Sequence, residues 1–187
     1  MASFQENWHL ILAELQAALS SVKEDDVERL IDAILCADKV FVLGIGRVLL
    51  ALQAFAKRLN HLGIPTWFVG EINEPAITPR DLLVVASGSG ETVVPVALAK
   101  VARNNGARIA HLGSNPESSL APLTDIFVRI PVRTKLERAD EIHSQQIMTS
   151  LFEQCVLIVG DAVALRITER RSITDMKSLW AQHSNLE

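Results

Sequence analysis

The chain has 187 residues, of which 49% are apolar and 21% charged, with a formal net charge of −4. That length can build one sizeable core and is short for two full domains, and the slight acidic excess gives no electrostatic case for nucleic acid. The two cysteines, Cys36 and Cys155, lie in apolar stretches and read as reduced core residues, neither a disulfide framework nor a metal site.

The opening MASFQENWHLILAELQ carries Glu6 and Glu14 and no basic segment ahead of its apolar positions, so it does not read as a secretory signal. Trp8, Ile11, Leu12, Leu15 and Leu19 recur at helical spacing and predict a helix over 5–20. A second helix is expected over 25–37, with Val27, Leu30, Ile31, Ile34 and Leu35 on one side. The apolar face of the first is wide enough to extend beyond its own core, so the helices of 5–37 are expected to aid oligomerisation.

KVFVLG, β-branched and aromatic and ending in glycine, predicts the first strand, and the helical pattern returns from Arg47 to Leu62. TWFVG at 66–70 and DLLVVA within 81–90 predict two more strands. A helix over 92–105 requires Pro95 to sit in its first turn. ARIAHLG and DIFVRI (125–130) are further strands, followed by a charged passage with no clear period, a long helix over 148–169 and a weaker one over 174–181. The run CVLIVGDAVAL in the long helix is interrupted by Asp161 and is too short to cross a bilayer. Short apolar strands alternating with helices predict an α/β fold, a doubly wound parallel sheet flanked by helices, in a single domain spanning 1–187. A cytoplasmic protein with no membrane and no nucleic-acid partner is the expectation.

Two loops follow strands where open α/β sheets bind ligands. The first is SGSGET, 87–92, where Gly88 and Gly90 let the backbone approach a ligand closely and Ser87, Ser89 and Thr92 offer hydroxyls. The free N–H groups of the helix that follows favour an anion, and a phosphomonoester fits. No Walker-type lysine accompanies the loop, which argues against nucleotide hydrolysis; a plain serine-rich helix cap is the alternative. The second loop is GIGR, 44–47, whose GxG lacks the third glycine of a dinucleotide fingerprint because Leu49 stands there. Arg47, at a helix start, can reach a phosphate or a sugar hydroxyl or remain a surface arginine. His61 closes a helix, Glu71 follows a strand end, His111 lies within a strand, and His143 beside Asp140 and Glu141 does not make a metal site. Trp8, Trp67 and Trp180 are isolated and form no stacking series for nucleic acid.

FVLGIGR (41–47), FAKRLNHLG (55–63), FVGE (68–71), SGSGET (87–92), NPESS (115–119), MTSLFEQ (148–154) and the terminal HSNLE (183–187), in this order, resemble the sugar isomerase domain family, and within it most closely the 6-phospho-3-hexuloisomerases. The resemblance implies the doubly wound parallel sheet, a homo-oligomer (dimer or tetramer) with sites shared between subunits, and no metal or cofactor. It implies interconversion of D-arabino-hex-3-ulose 6-phosphate and fructose 6-phosphate, a step of formaldehyde fixation by the ribulose monophosphate route. It assigns the phosphate to the hydroxyls of Ser87, Ser89 and Thr92, the catalytic base to Glu153 and a second catalytic role to His183, in its own or a neighbouring subunit; Gly46, Arg47, Gly88 and Glu71 are further candidate substrate contacts by position, with a loop salt bridge the alternative for Glu71. The sequence departs from relatives at Val48 and Leu49, where GxGRSG is usual, and at Thr149, where glycine is common. An isomerase of another phosphosugar, or a non-catalytic sugar-phosphate-binding regulator, is the competing reading.

Overall fold

The structure, a computed structural model, describes residues 2–183. Helix α1 (Phe4–Leu19) begins at a capping box in which Ser3 Oγ accepts from the Glu6 amide and Glu6 accepts from the Ser3 amide at 2.6 Å. Helix α2 (Glu24–Cys36) has Glu24, Asp25 and Asp26 in its first turn, where negative charge suits the helix dipole. The chain continues through β1 (Val40–Leu43), α3 (Arg47–His61), β2 (Thr66–Phe68), β3 (Leu82–Ala86), α4 (Val93–Asn104), β4 (Arg108–Gly113), β5 (Ile126–Arg129) and α5 (Ser150–Arg170). Short 3₁₀ turns cover Ala121–Leu123 and Met176–Gln182.

The five strands form one parallel sheet in the order β2-β1-β3-β4-β5. Every residue of β1 and β3 is buried, as strands covered on both faces require. Side chains alternate between two layers. Val40, Val42, Leu82 and Val84 pack with α1, α2, α3 and α5 on one face. Phe41, Leu43, Leu83 and Val85 pack with Ala99 and Ala102 of α4 on the other. The sheet is therefore doubly wound with unequal cover. Strand order reverses between β1 and β3, so the loops leaving their carboxyl ends part and open a crevice.

Several details differ from the sequence expectation. Cys36 is exposed at the end of α2, while Cys155 is buried and burial pushes its thiol up to about 12. The segment expected as a terminal helix is a 3₁₀ turn. Helix α5 starts at Ser150 because Met148 takes a left-handed conformation (φ 52°) that no helix continues through. On α1, Leu15 and Ala18 face the core, whereas Trp8 and Leu12 are 37% and 55% exposed. Among the described residues, no helix is long and apolar enough to cross a membrane. Of the terminal HSNLE, residues 184–187 lie outside the described part.

Candidate active site

A cleft of about 600 Å³ occupies the crevice between β1 and β3. Its first wall is the turn from β1 into α3. Gly46 caps α3 at φ 61°, the left-handed region that side chains resist, and so turns Arg47 into the cleft mouth. Val48 lines the cleft; Leu49 does not. Of the two residues that depart from GxGRSG, one apolar side chain, not two, thus stands on the cleft wall.

The second wall is the SGSGET loop, and its backbone is heavily fixed. Ser87 N donates to Leu112 O at 3.0 Å, and Ser114 N donates to Gly88 O at 2.9 Å. Asn115 Nδ2 donates to Ser89 O at 3.2 Å, and His111 Nε2 meets Ser87 O at 3.0 Å. Gly90 adopts φ 66°, and a Cβ there would stand 2.3 Å from Ser118 Oγ, so this position admits only glycine without rearrangement. Ser119 donates to Glu91 from its amide at 2.8 Å and from its hydroxyl at 2.5 Å. These bonds hold the Glu91 carboxyl below the usual carboxylate range. The NPESS segment is therefore the bracket of the SGSGET loop. Ser87 Oγ and Thr92 Oγ1 lie 3.3 Å apart, and both residues line the cleft with Gly88 and Ser89. Converging hydroxyls beside the start of α4, whose third residue Pro95 needs no intrahelical donor, form an anion-compatible wall.

The floor is the first turn of α5. Glu14 of α1 accepts from Ser144 Oγ and Gln145 N, both at 2.7 Å, and so fixes the segment that enters the cleft at Ile147 and Met148. Phe152 packs beneath Gly88, its ring carbon 3.5 Å from where a Cβ would stand. Glu153, on the next position, points into the cleft with only 12% of its side chain exposed. Its carboxylate is ion-paired with the Arg47 guanidinium and accepts a 3.0 Å hydrogen bond from Thr149 Oγ1. A shielded carboxylate beside a cation and a row of hydroxyls can bind a phosphorylated polyol and move a carbon-bound proton.

The structure thus brings together Gly46, Arg47, Ser87, Gly88, Ser89, Thr92 and Glu153. Two expected residues stand apart. Glu71 follows the edge strand β2 and does not line the cleft; its amide donates to Phe68 O at 3.2 Å. His183 stacks on His61, ring centroids 5.3 Å apart, and lines a second hollow of about 480 Å³ between α3, α5 and the terminal turn. Arg47 and His61 are the two ends of α3, and its 15 residues separate them by about 20 Å. Within one chain His183 therefore does not reach Glu153. Burial, with Lys57, Arg58 and His183 nearby, lowers the basicity of His61. Thr134, Lys135 and Thr149 also line the cleft. The first two come from the charged, aperiodic passage after β5; their one sequence signal is their position just beyond the carboxyl end of a strand. Among the described residues, no group of three or more His, Cys, Asp or Glu side chains gathers as metal ligands would.

The SIS domain model matches residues 33–160, which include both walls and the floor. The chain belongs to the SIS domain family. It is 39% identical over 181 residues to the 3-hexulose-6-phosphate isomerase of Mycobacterium gastri, covering 97% of this chain and 90% of that one. To the enzyme of the same name from Bacillus subtilis it is 36% identical over 177 residues, 95% of each chain. A hypothetical protein of Methanococcus jannaschii, whose crystal structure infers a molecular function of 3-hexulose-6-phosphate isomerase, superposes with a TM-score of 0.81 at 28% identity, covering 97% of this chain and 99% of that one.

Proposed function

We propose that the chain is a 3-hexulose-6-phosphate isomerase, converting D-arabino-hex-3-ulose 6-phosphate into fructose 6-phosphate and back. The observation that carries the proposal is the meeting of Glu153 with the SGSGET loop in one cleft at the sheet's switch point. Its support from kinship is full-length similarity to enzymes of that name.

Ser87, Ser89 and Thr92 take the phosphate, which anchors the sugar with its C2–C3 bond toward the α5 turn. Glu153 removes the C2 proton of the 3-ketose, and the electron pair flows to the C3 oxygen, which takes a proton from His183, giving a 2,3-enediol. The same carboxylic acid returns the proton to C3, and the C2 hydroxyl passes its proton back to His183 as the C2 carbonyl forms. No electrons are gained or lost, so the step needs no redox cofactor. Arg47, 65% exposed on its side chain, is free to swing from the Glu153 carboxylate onto a sugar oxygen and steady the developing charge. His183 serves as proton shuttle from a second copy of the chain, a reading supported by its separation from Glu153 within one chain. The functional unit is accordingly a homo-oligomer, active in the cytoplasm.

The test is direct conversion. The purified protein is expected to turn over the 3-hexulose phosphate, and Glu153→Gln to lose between about a hundredfold and ten-thousandfold in kcat, the range usual for a lost general base. A Glu153→Gln enzyme of wild-type kcat overturns the assignment of the base.

A further inference from the structure

The hydroxyls of Ser87, Ser89 and Thr92 are neutral, yet a sugar phosphate near neutral pH approaches a dianion, and the chain carries a formal net charge of −4. Positive charge on the cleft lining would offset that repulsion. The lining cations are Arg47 and Lys135. Arg47 pairs with Glu153 and is assigned to the sugar oxygens at the reacting end, leaving for the phosphate Lys135, which makes no ion pair among the described residues.

Lys135 is not an incidental surface lysine, because the backbone on which it stands is clamped. Glu141 accepts from Thr134 N at 3.0 Å, from Thr134 Oγ1 at 2.9 Å, from Ser114 Oγ at 2.9 Å and from Arg138 N at 3.2 Å. Leu136 N donates to Thr134 Oγ1 at 3.2 Å. This one carboxylate ties the turn after β5 to the end of β4. As a result Thr134 is buried, its methyl 3.0 Å from where a Cβ on Gly88 would stand. The next residue, Lys135, is exposed and overhangs the SGSGET loop. Its charge is felt there: after the Ser119 hydrogen bonds, Lys135 also helps to hold the Glu91 carboxyl below its ordinary range. Glu91 itself is turned toward Ser119 and so does not compete for the ammonium through a direct bond.

We propose that Lys135 is the cationic arm of the phosphate subsite, carried over the SGSGET loop by the Glu141–Thr134 clamp and closing on the phosphate group of the substrate. The proposal rests on the reading of Ser87–Thr92 as the phosphate loop. An ammonium on a flexible stem acts here as a point charge, recognising phosphate without dictating its orientation, while the fixed loop hydroxyls set the geometry. Binding energy gained at this non-reacting end holds the reacting carbons at Glu153.

Inorganic phosphate is the probe, titrated calorimetrically into wild type, Lys135→Met and Lys135→Arg, each checked for an unchanged melting temperature. Lys135→Met is expected to bind phosphate about tenfold more weakly, and Lys135→Arg to stay within about threefold of wild type. With fructose 6-phosphate as substrate, the Lys135→Met loss should fall on KM rather than kcat. Equal phosphate affinity in wild type and Lys135→Met, or a loss confined to kcat, overturns the role of Lys135 and leaves the loop assignment standing. A wild type that binds no phosphate overturns both, and the same titration tells the two failures apart.

Discussion

A neutral imidazole braces the SGSGET loop from below. His111 sits in β4 only 1% exposed, its Nε2 on the Ser87 carbonyl and its Nδ1 without a partner among the described residues. Burial is the main cause that pushes its pKa down to about 4, with the Ser87 carbonyl acting weakly the other way. A histidine whose folded pKa lies below its unfolded value stabilises the protein fully above the unfolded pKa and loses that contribution as pH falls through the folded one. The structure therefore predicts a loss of roughly 3 kcal/mol of unfolding free energy from this group between about pH 7 and pH 4. Urea denaturation across that window should show the loss, and His111→Leu should flatten that part of the profile. A slope unchanged by the substitution would mean that other groups govern the acid limb. The imidazole was visible in IAHLG as a histidine within a strand; its grip on Ser87 was not, because the contact joins neighbouring strands 24 positions apart.

At the scale of elements, the regular parts were legible and the junctions were not. β1 and β3 stand out because continuous Val, Leu and Phe runs end in glycine or serine, which is what a strand covered on both sides and ending at a turn needs. Pro95 proved compatible with α4 because it is the third helical residue, where no intrahelical donor is lost. The start of α5 was misjudged because Met148 breaks the helix by backbone conformation alone, and nothing in MTSL advertises a left-handed methionine. Lys135 and Thr134 were missed because their positions depend on Glu141, an acid in an aperiodic stretch. Cys36 lies among apolar residues in sequence but faces solvent at the last turn of α2. One close approach marks the packing of α3 on α5: Gly160 of α5 lies against Phe55 of α3, a Cβ there standing 3.0 Å from the ring. Gly160→Val should therefore cost about 1–3 kcal/mol in unfolding free energy by forcing the helices apart, measured by denaturant titration. A variant as stable as wild type would show that the pair separates freely.

For the molecule as a whole, the distribution of apolar surface and of site residues points the same way. Phe4, Trp8 and Leu12 of α1 are exposed in the single chain, as are Trp180 and Met176 near His183. Glu153 and His183 lie toward opposite ends of the α3–α5 pair. If the site is shared between copies, Glu153→Gln and His183→Ala, each inactive alone, should regain activity when unfolded together and refolded, since mixed oligomers hold sites with both wild-type groups. Mixtures with no more activity than their parents would confine His183 to a structural role. Val48 stands on the cleft wall, and Leu49 does not line it.

The central claim is that Glu153 moves a carbon-bound proton of a phosphosugar held by the SGSGET loop. Fructose 6-phosphate incubated with the protein in deuterium oxide, with the C3 hydrogen followed by NMR, tests it without requiring the 3-ketose to accumulate. The account predicts loss of the C3–H signal with wild type and its persistence with Glu153→Gln, although that variant still binds the sugar phosphate. Exchange that continues in Glu153→Gln, or a wild type that binds fructose 6-phosphate and leaves C3–H untouched, would contradict it.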